Sequence, residues 1–212
     1  MPRPTQAFID LSALAHNLGV VRQYVPCSRI MAVVKADAYG HGLLHTASAL
    51  KDVDGFALLE LDAAISLRDA GYQQPILLLE GFFSTEELAL FEQYRLSAVI
   101  HHSEQIAMLS DSKHHNLDLF LKINTGMNRL GLAPEQFPQI MKALTDHPGI
   151  DSITLMTHFA SADDPLEEDE VFQQLQYFEA ITQNHKYPHS LANSAAIIRY
   201  PVTHADWVRP GI

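Results

Sequence analysis

One lysine, Lys35, ends the apolar run Ile30-Met31-Ala32-Val33-Val34 and opens the turn Ala36-Asp37-Ala38-Tyr39-Gly40-His41-Gly42. An amine at the mouth of a buried strand, beside a flexible backbone and a phenol, can form a Schiff base with a carbonyl compound. A lysine that merely caps a strand has the same local pattern, so other strand ends must decide. Lys122 closes a second apolar run and leads into Asn124-Thr125-Gly126-Met127-Asn128-Arg129-Leu130-Gly131. Thr157-His158-Phe159-Ala160, Leu191-Ala192-Asn193-Ser194-Ala195-Ala196 and Arg209-Pro210-Gly211-Ile212 close three more. Each has an ordinary reading when taken singly. Arg129 could be a surface ion-pair partner, and His158 a hydrogen-bonded histidine near the core. Asn193-Ser194 reads as a helix-capping pair, and Arg209 could border a turn.

Their placement is what the ordinary readings leave unexplained. Apolar runs recur at 30–37, 55–61, 75–81, 96–102, 117–125, 150–160, 188–194 and 205–212, several nearly continuous, as in strands buried on both faces. Helical patterns lie between most of them. Ser84-Thr85-Glu86-Glu87 has capping-box spacing, and Pro134-Glu135-Gln136-Phe137 suits a helix start. Eight alternations of strand and helix predict a parallel (β/α)8 barrel, with an open doubly wound sheet as the competing architecture. In a barrel, chemistry sits at the C-terminal strand ends, where every motif above falls. A lysine, two arginines, a histidine and hydroxyl-plus-backbone donors in the last two loops suit an anionic aldehyde cofactor, and pyridoxal phosphate (PLP) fits that description.

Bulk properties narrow the field. The chain of 212 residues is 47% hydrophobic and 18% charged, an ordinary globular composition expected to form one domain over 1–212. A net charge of -11 argues against nucleic acid and against an anionic membrane surface. No apolar stretch approaches the roughly 20 residues that span a bilayer. Cys27 is alone, which points to a reducing cytoplasm rather than a disulfide framework. The twelve histidines do not suggest a metal: His41 and His45 lack the intervening Glu of a metalloprotease helix, and the pairs His101-His102 and His114-His115 point apart. Phe8-Ile9-Asp10-Leu11 reads as an extra strand before a helix over 12–24. The apolar ending Trp207-Val208-Arg209-Pro210-Gly211-Ile212 suggests the N-terminal portion of a longer protein.

The sequence resembles the alanine racemases. Ala32-Val33-Val34-Lys35-Ala36-Asp37-Ala38-Tyr39-Gly40-His41-Gly42 is similar to the family's PLP-attachment motif, and Lys122-to-Gly131, Thr157-to-Ala160, Ala192-to-Ala196 and Trp207-to-Ile212 follow in the family's order. The resemblance implies a PLP-carrying (β/α)8 barrel, followed in the complete enzyme by a β-rich domain. It implies interconversion of L- and D-alanine, supplying D-alanine for peptidoglycan precursors, by a homodimer. By resemblance, Lys35 holds PLP and is the base for the D-enantiomer. Tyr39, Ser194, Gly211 and Ile212 bind the phosphate, and Asn193 is a further cofactor contact. Arg209 faces the pyridine nitrogen with His158 beside it. Arg129 orients the cofactor phenolate and the substrate carboxylate, with Met127 also on the substrate. Lys122 matches a lysine often carbamylated to hold Arg129. A guanidinium has no acceptor for a pyridinium proton, so the ring nitrogen would stay unprotonated, which favours proton exchange over transamination. The second base in the family is a tyrosine from the partner's C-terminal domain, so 212 residues alone are expected to bind PLP weakly and turn over little. The alternatives are a single-domain PLP-binding protein of cofactor homeostasis, and a PLP-free barrel that binds a partner.

Overall fold

The eight apolar runs form eight parallel strands that close on themselves in chain order. They are β1 (Arg29–Val33), β2 (Gly55–Leu58), β3 (Ile76–Leu78), β4 (Leu96–Ile100), β5 (Leu117–Lys122), β6 (Ile150–Met156), β7 (His189–Asn193) and β8 (Trp207–Arg209). In the computed structural model, residues 4, 6–110 and 116–211 are described; Ile212 and the pair His114-His115 lie outside them. Helix α1 (Leu11–Tyr24) precedes the barrel, and a short turn, α2 (Lys35–Tyr39), follows β1 with α3 (Leu43–Ala49). The later connections carry α4 (Leu61–Asp69), α5 (Leu88–Gln93), α6 (Ser103–Ser110), α7 (Phe137–Thr145), α8 (Glu168–Thr182) and α9 (Ser194–Arg199). The fold is the (β/α)8 barrel rather than the open sheet.

The two-residue period of a strand sorts each one into an outer and an inner row. On β1, Ile30, Ala32 and Val34 pack with the helices, whereas Met31 and Val33 belong to a separate cluster with Ala57, Leu77, Val99, Phe120, Met156 and Trp207. That second cluster is the plug of bulky side chains that makes such a barrel a packed core and not a pore. Extending the inner rows gives Arg29-Met31-Val33-Lys35 on β1, Asp118-Phe120-Lys122 on β5, Thr154-Met156-His158 on β6 and Trp207-Arg209-Gly211 on β8. The rows on β1, β5 and β6 are polar at both ends and apolar in the middle, and on β8 Arg209 stands above the apolar Trp207. The barrel therefore has two polar mouths.

Three local expectations differ from the structure. The strands stop short of their apolar runs, because the last residues of each run turn out of the ladder towards the C-terminal mouth. Residues 6–10 form no strand; Phe8 is 89% exposed, and the chain enters α1 through Asp10, whose carboxylate accepts from the Ser12 and Ala13 amides. The segment around Ser84 does not open α5: that helix begins at Leu88, and Glu87 instead accepts from the Phe83 amide at 2.8 Å. The other two helix expectations match. Pro134–Gln136 is a 3-10 turn leading straight into α7, and α1 covers the segment expected to be helical before β1.

Candidate active site

Lys35 leaves β1 into a turn of the wrong hand. Ala36, Asp37, Ala38 and Tyr39 all have φ between 51° and 55°, followed by Gly40 at 83°. Left-handed backbone costs an L-residue roughly 1–2 kcal/mol, so a run of four needs compensation. It comes from a dense set of bonds: Ala38 N–H to Val34 O, Gly40 N–H to Ala36 O, Gly42 N–H to Asp37 O, and Leu43 N–H to the Asp37 carboxylate at 2.7 Å. The turn carries Tyr39 back over the mouth, its ring centroid 6.0 Å from the Lys35 ammonium.

The Tyr39 hydroxyl meets donors from the far end of the chain. The Gly211 N–H donates to Ser194 Oγ at 2.8 Å. A Cβ built on Gly211 would lie 3.1 Å from the Tyr39 oxygen and 3.7 Å from Ser194 Oγ, so this corner is a cradle of donors that a side chain at 211 would crowd. Burial raises the Tyr39 phenol above its ordinary pKa, which keeps it protonated and able to donate. Ser194 is the first residue of α9, and Asn193 caps that helix through Oδ1 accepting from Ala196 N–H at 3.0 Å. The capping reading of that pair is thus correct.

Arg209 is the buried centre of the mouth. The residue is 3% exposed, and its guanidinium donates to Ser190 Oγ, to Thr157 O at 2.7 Å and to Leu191 O at 3.2 Å. Its Nη2 also lies 3.5 Å from His158 Nδ1. Burial pulls Arg209 down to about 10, so it stays charged at neutral pH. His158 is driven to about 3 by burial and then by Arg209, Lys122, Arg129 and Lys35, so its ring is neutral and Nδ1 can accept from the guanidinium. Burial, followed by Arg209, Arg129 and Lys35, lowers Lys122 to about 8, with Glu80 opposing.

Together these residues line a cavity of about 440 Å³ that contains Lys35, Tyr39, Lys122, Arg129, His158, Asn193, Ser194, Arg209 and Gly211. Met127, in the same loop as Arg129, is half-buried and does not line it. Leu130 of the Arg129 motif lines the cavity too, as do Leu59, Leu79 and Glu80, for which the sequence suggested no role. Gln174 on α8 was missed as well. It accepts from Ala160 N–H at 3.0 Å and donates to His158 O and Thr125 Oγ1, tying the loops after β5 and β6 together. It sits with Val171, Leu175 and Phe178 on the buried stripe of α8, and a polar residue in an apolar stripe is the signal that could have found it. Gln174→Leu is expected to cost about 2–3 kcal/mol in urea unfolding, because it strands a buried amide and carbonyl, whereas Gln174→Glu should recover part of that. Equal stability of the Leu variant and the parent would refute this role.

The fold and site define a class: a (β/α)8 barrel whose C-terminal mouth sets a lysine amine and two guanidinium groups around a cavity with a corner of two hydroxyls and a backbone amide. Residues 9–212 match the alanine racemase N-terminal domain. The chain belongs to the alanine racemase family. The alanine racemase of Nitrosospira multiformis is 59% identical over 213 residues, covering all of this chain and 60% of that protein. That of Nitrosomonas europaea is 60% identical over 215 residues, covering 59% of its length. The crystal structure of biosynthetic alanine racemase from Pseudomonas aeruginosa matches with a TM-score of 0.89 at 41% identity, over 96% of this chain and 57% of that one. A histidine racemase from Leuconostoc mesenteroides matches with a TM-score of 0.83 at 30% identity, over 95% of this chain and 56% of that one. The chain thus spans about 60% of the length of the curated relatives it matches.

Proposed function

We propose that this chain is the PLP-holding barrel of an amino-acid racemase that interconverts L- and D-alanine. The observation that carries the reading is the opposition of the Lys35 amine to the cradle of Tyr39, Ser194 and Gly211. The donor set fits a phosphate: two hydroxyls, one of them held protonated, and the Gly211 N–H, which here donates to Ser194 Oγ, at a position where a Cβ would press on the Tyr39 oxygen. When bound, PLP supplies the electron-withdrawing system that makes a substrate Cα–H acidic.

The chain's own residues do the rest. Lys35 would hold the cofactor through its amine and, as a free amine, would hold or take the proton at the substrate Cα. Arg209 presents only donors to a ring nitrogen and has no site to receive its proton. The neutral His158 supports Arg209 through Nδ1 and adds no charge. Arg129 faces the same cavity and suits a carboxylate, whose bidentate capture would fix which Cα bond reacts. Lys122, lowered to about 8, has the neutral fraction needed to add carbon dioxide with loss of a proton; the resulting carbamate would turn a repelled cation into an anion facing Arg129. Met127, in the Arg129 loop, is a substrate contact by the family resemblance alone.

By the same reading the protein is cytoplasmic and works as a homodimer, providing D-alanine for peptidoglycan precursors. Among the described residues no helix is long and apolar enough to cross a membrane. The amino-acid preference would depend on more than the barrel, because the histidine racemase shares this fold at 30% identity.

The test is covalent trapping. PLP added to the chain should give a visible absorbance band, and borohydride should fix the mass of reduced PLP on the peptide holding Lys35. Lys35→Ala should lose both. Identical spectra of parent and variant would overturn the cofactor reading. A band without turnover in a protein of full family length would favour the cofactor-homeostasis reading over the racemase. Robust alanine racemisation by the 212 residues alone would overturn the expectation that the second base lies elsewhere.

A further inference from the structure

The other end of the barrel holds a larger cavity, about 560 Å³, which the proposed chemistry does not use. Its walls are the lower ends of the inner rows: Arg29 on β1, Ser97 on β4, Asp118 on β5, Thr154 on β6 and Trp207 on β8, above a floor that includes Phe120. Barrel interiors are ordinarily filled by branched apolar side chains, so four polar residues in one layer call for a reason.

The polar groups here are sorted by sign. The Arg29 guanidinium carbon stands 4.1 Å from the centroid of the Trp207 ring. Stacking fixes the guanidinium plane but consumes none of its N–H donors. The Arg29 side chain has no hydrogen bond or ion pair with another described residue. β1 and β8 are neighbours, and so are β5 and β6, four strands away on the opposite wall. That wall carries Asp118, whose carboxylate accepts from the Ser152 hydroxyl, and Asp151 at the rim. Between the two poles Ser97 and Thr154 line the cavity, their hydroxyls making no hydrogen bond to another described residue. Arg29 and Asp118 are exposed at this mouth, and with the two hydroxyls they leave donors and acceptors of both signs facing one solvent-filled cavity, free to exchange water for a ligand.

We propose that the N-terminal mouth of the barrel is a second, non-catalytic binding site for a small zwitterion of the amino-acid class. A carboxylate matches the free edge of Arg29, which can donate two parallel bonds to it. An ammonium matches Asp118 and Asp151. The backbone atoms between those two charges lie against Ser97 and Thr154, and a cavity of this volume holds such a molecule together with several waters. The plug of Met31, Leu77, Val99, Phe120 and Met156 separates this site from the Lys35 mouth, so either can be occupied while the other is empty.

The protein carries its own reporter. Trp207 is the single tryptophan in the sequence, and it forms the platform under Arg29. Titrating the cofactor-free chain with glycine and with L-alanine should change Trp207 fluorescence saturably, with matching heat in calorimetry. Acetate and methylammonium, each offering one charge, should bind at least about tenfold more weakly. Arg29→Gln and Asp118→Asn should each weaken the calorimetric affinity at least about tenfold, with circular dichroism and thermal midpoint holding as evidence of an intact fold. Neither residue touches the Lys35 mouth, so the outcome is separate from that of the cofactor test. Absence of saturable binding by both methods would overturn the proposal. So would affinity unchanged by both substitutions, which would move the zwitterion to the other mouth.

Discussion

Lys122→Met is expected to stabilise the cofactor-free chain by about 1–3 kcal/mol at pH 7, read as a higher urea midpoint with an unchanged slope. The wild-type ammonium is buried at the top of the β5 inner row, and Arg209, Arg129 and Lys35 all repel it. Those effects lower its pKa from 10.5 to about 8, and each unit is worth about 1.4 kcal/mol, an upper bound near 3 kcal/mol. Methionine fills similar space without the charge, and replacing a buried ion by a packed apolar group commonly gains stability. The sign of the pH dependence follows. Between pH 8 and 10.5 the unfolded chain holds the proton that the folded chain has lost, so wild-type stability rises through that window and falls as pH drops through it. The advantage of the variant should therefore be full below pH 8 and shrink towards pH 10.5. Bicarbonate should add a carbamate mass to the wild-type peptide that holds Lys122, with a gain in wild-type stability, and should do neither to the Lys122→Met variant. A destabilised variant at pH 7, or a gap that ignores pH, would remove the repulsive cluster from the account.

Much of this mouth was legible in the sequence because strands write their geometry in a period of two. Lys35, Lys122 and His158 each stand at the end of an inner row whose middle is apolar, and Arg209 follows the apolar Trp207 on its row, so a polar residue there marks a mouth. The same period marks Arg29, Asp118 and Thr154 at the other end, where no family motif draws attention. What the sequence hid is of a different kind. Nothing in Ala36-Asp37-Ala38-Tyr39 announces four left-handed residues; alanine disfavours that region, and the turn exists because bonds to Val34, Leu43 and Gly42 outweigh the strain. Gln174 looks like one more polar residue on a surface helix until its partners, 14 to 49 positions away, are known. Phe8 shows the opposite error: a β-like pattern predicts a strand, but a strand needs a neighbour, and none of the described residues supplies one.

Acid should unfold this protein partly through His158, and His158→Gln should blunt that sensitivity. Unfolded, the imidazole titrates near 6.5; folded, burial and the cations Arg209, Lys122, Arg129 and Lys35 hold it to about 3. The folded state therefore binds fewer protons than the unfolded state between those values. Stability from this residue is complete above pH 6.5 and is lost as pH falls towards 3. At pH 4.5 the loss is about 3 kcal/mol, a large fraction of the 5–15 kcal/mol typical of a folded domain. Glutamine keeps a polar group beside Arg209 and has nothing to protonate. At pH 7.5 the variant should be slightly less stable than wild type, by about 1 kcal/mol, for loss of the ring's packing and its contact with Nη2. In urea titrations at pH 7.5, 6.0 and 4.5 the gap should close and then reverse. A gap that stays constant would mean that the ring gains its proton without cost in the folded state. The neutrality tested here is what the mouth requires of His158. A charged imidazole would add a fifth cation to Lys35, Lys122, Arg129 and Arg209 and would remove the acceptor at Nδ1, leaving the buried guanidinium that anchors the site with one partner fewer.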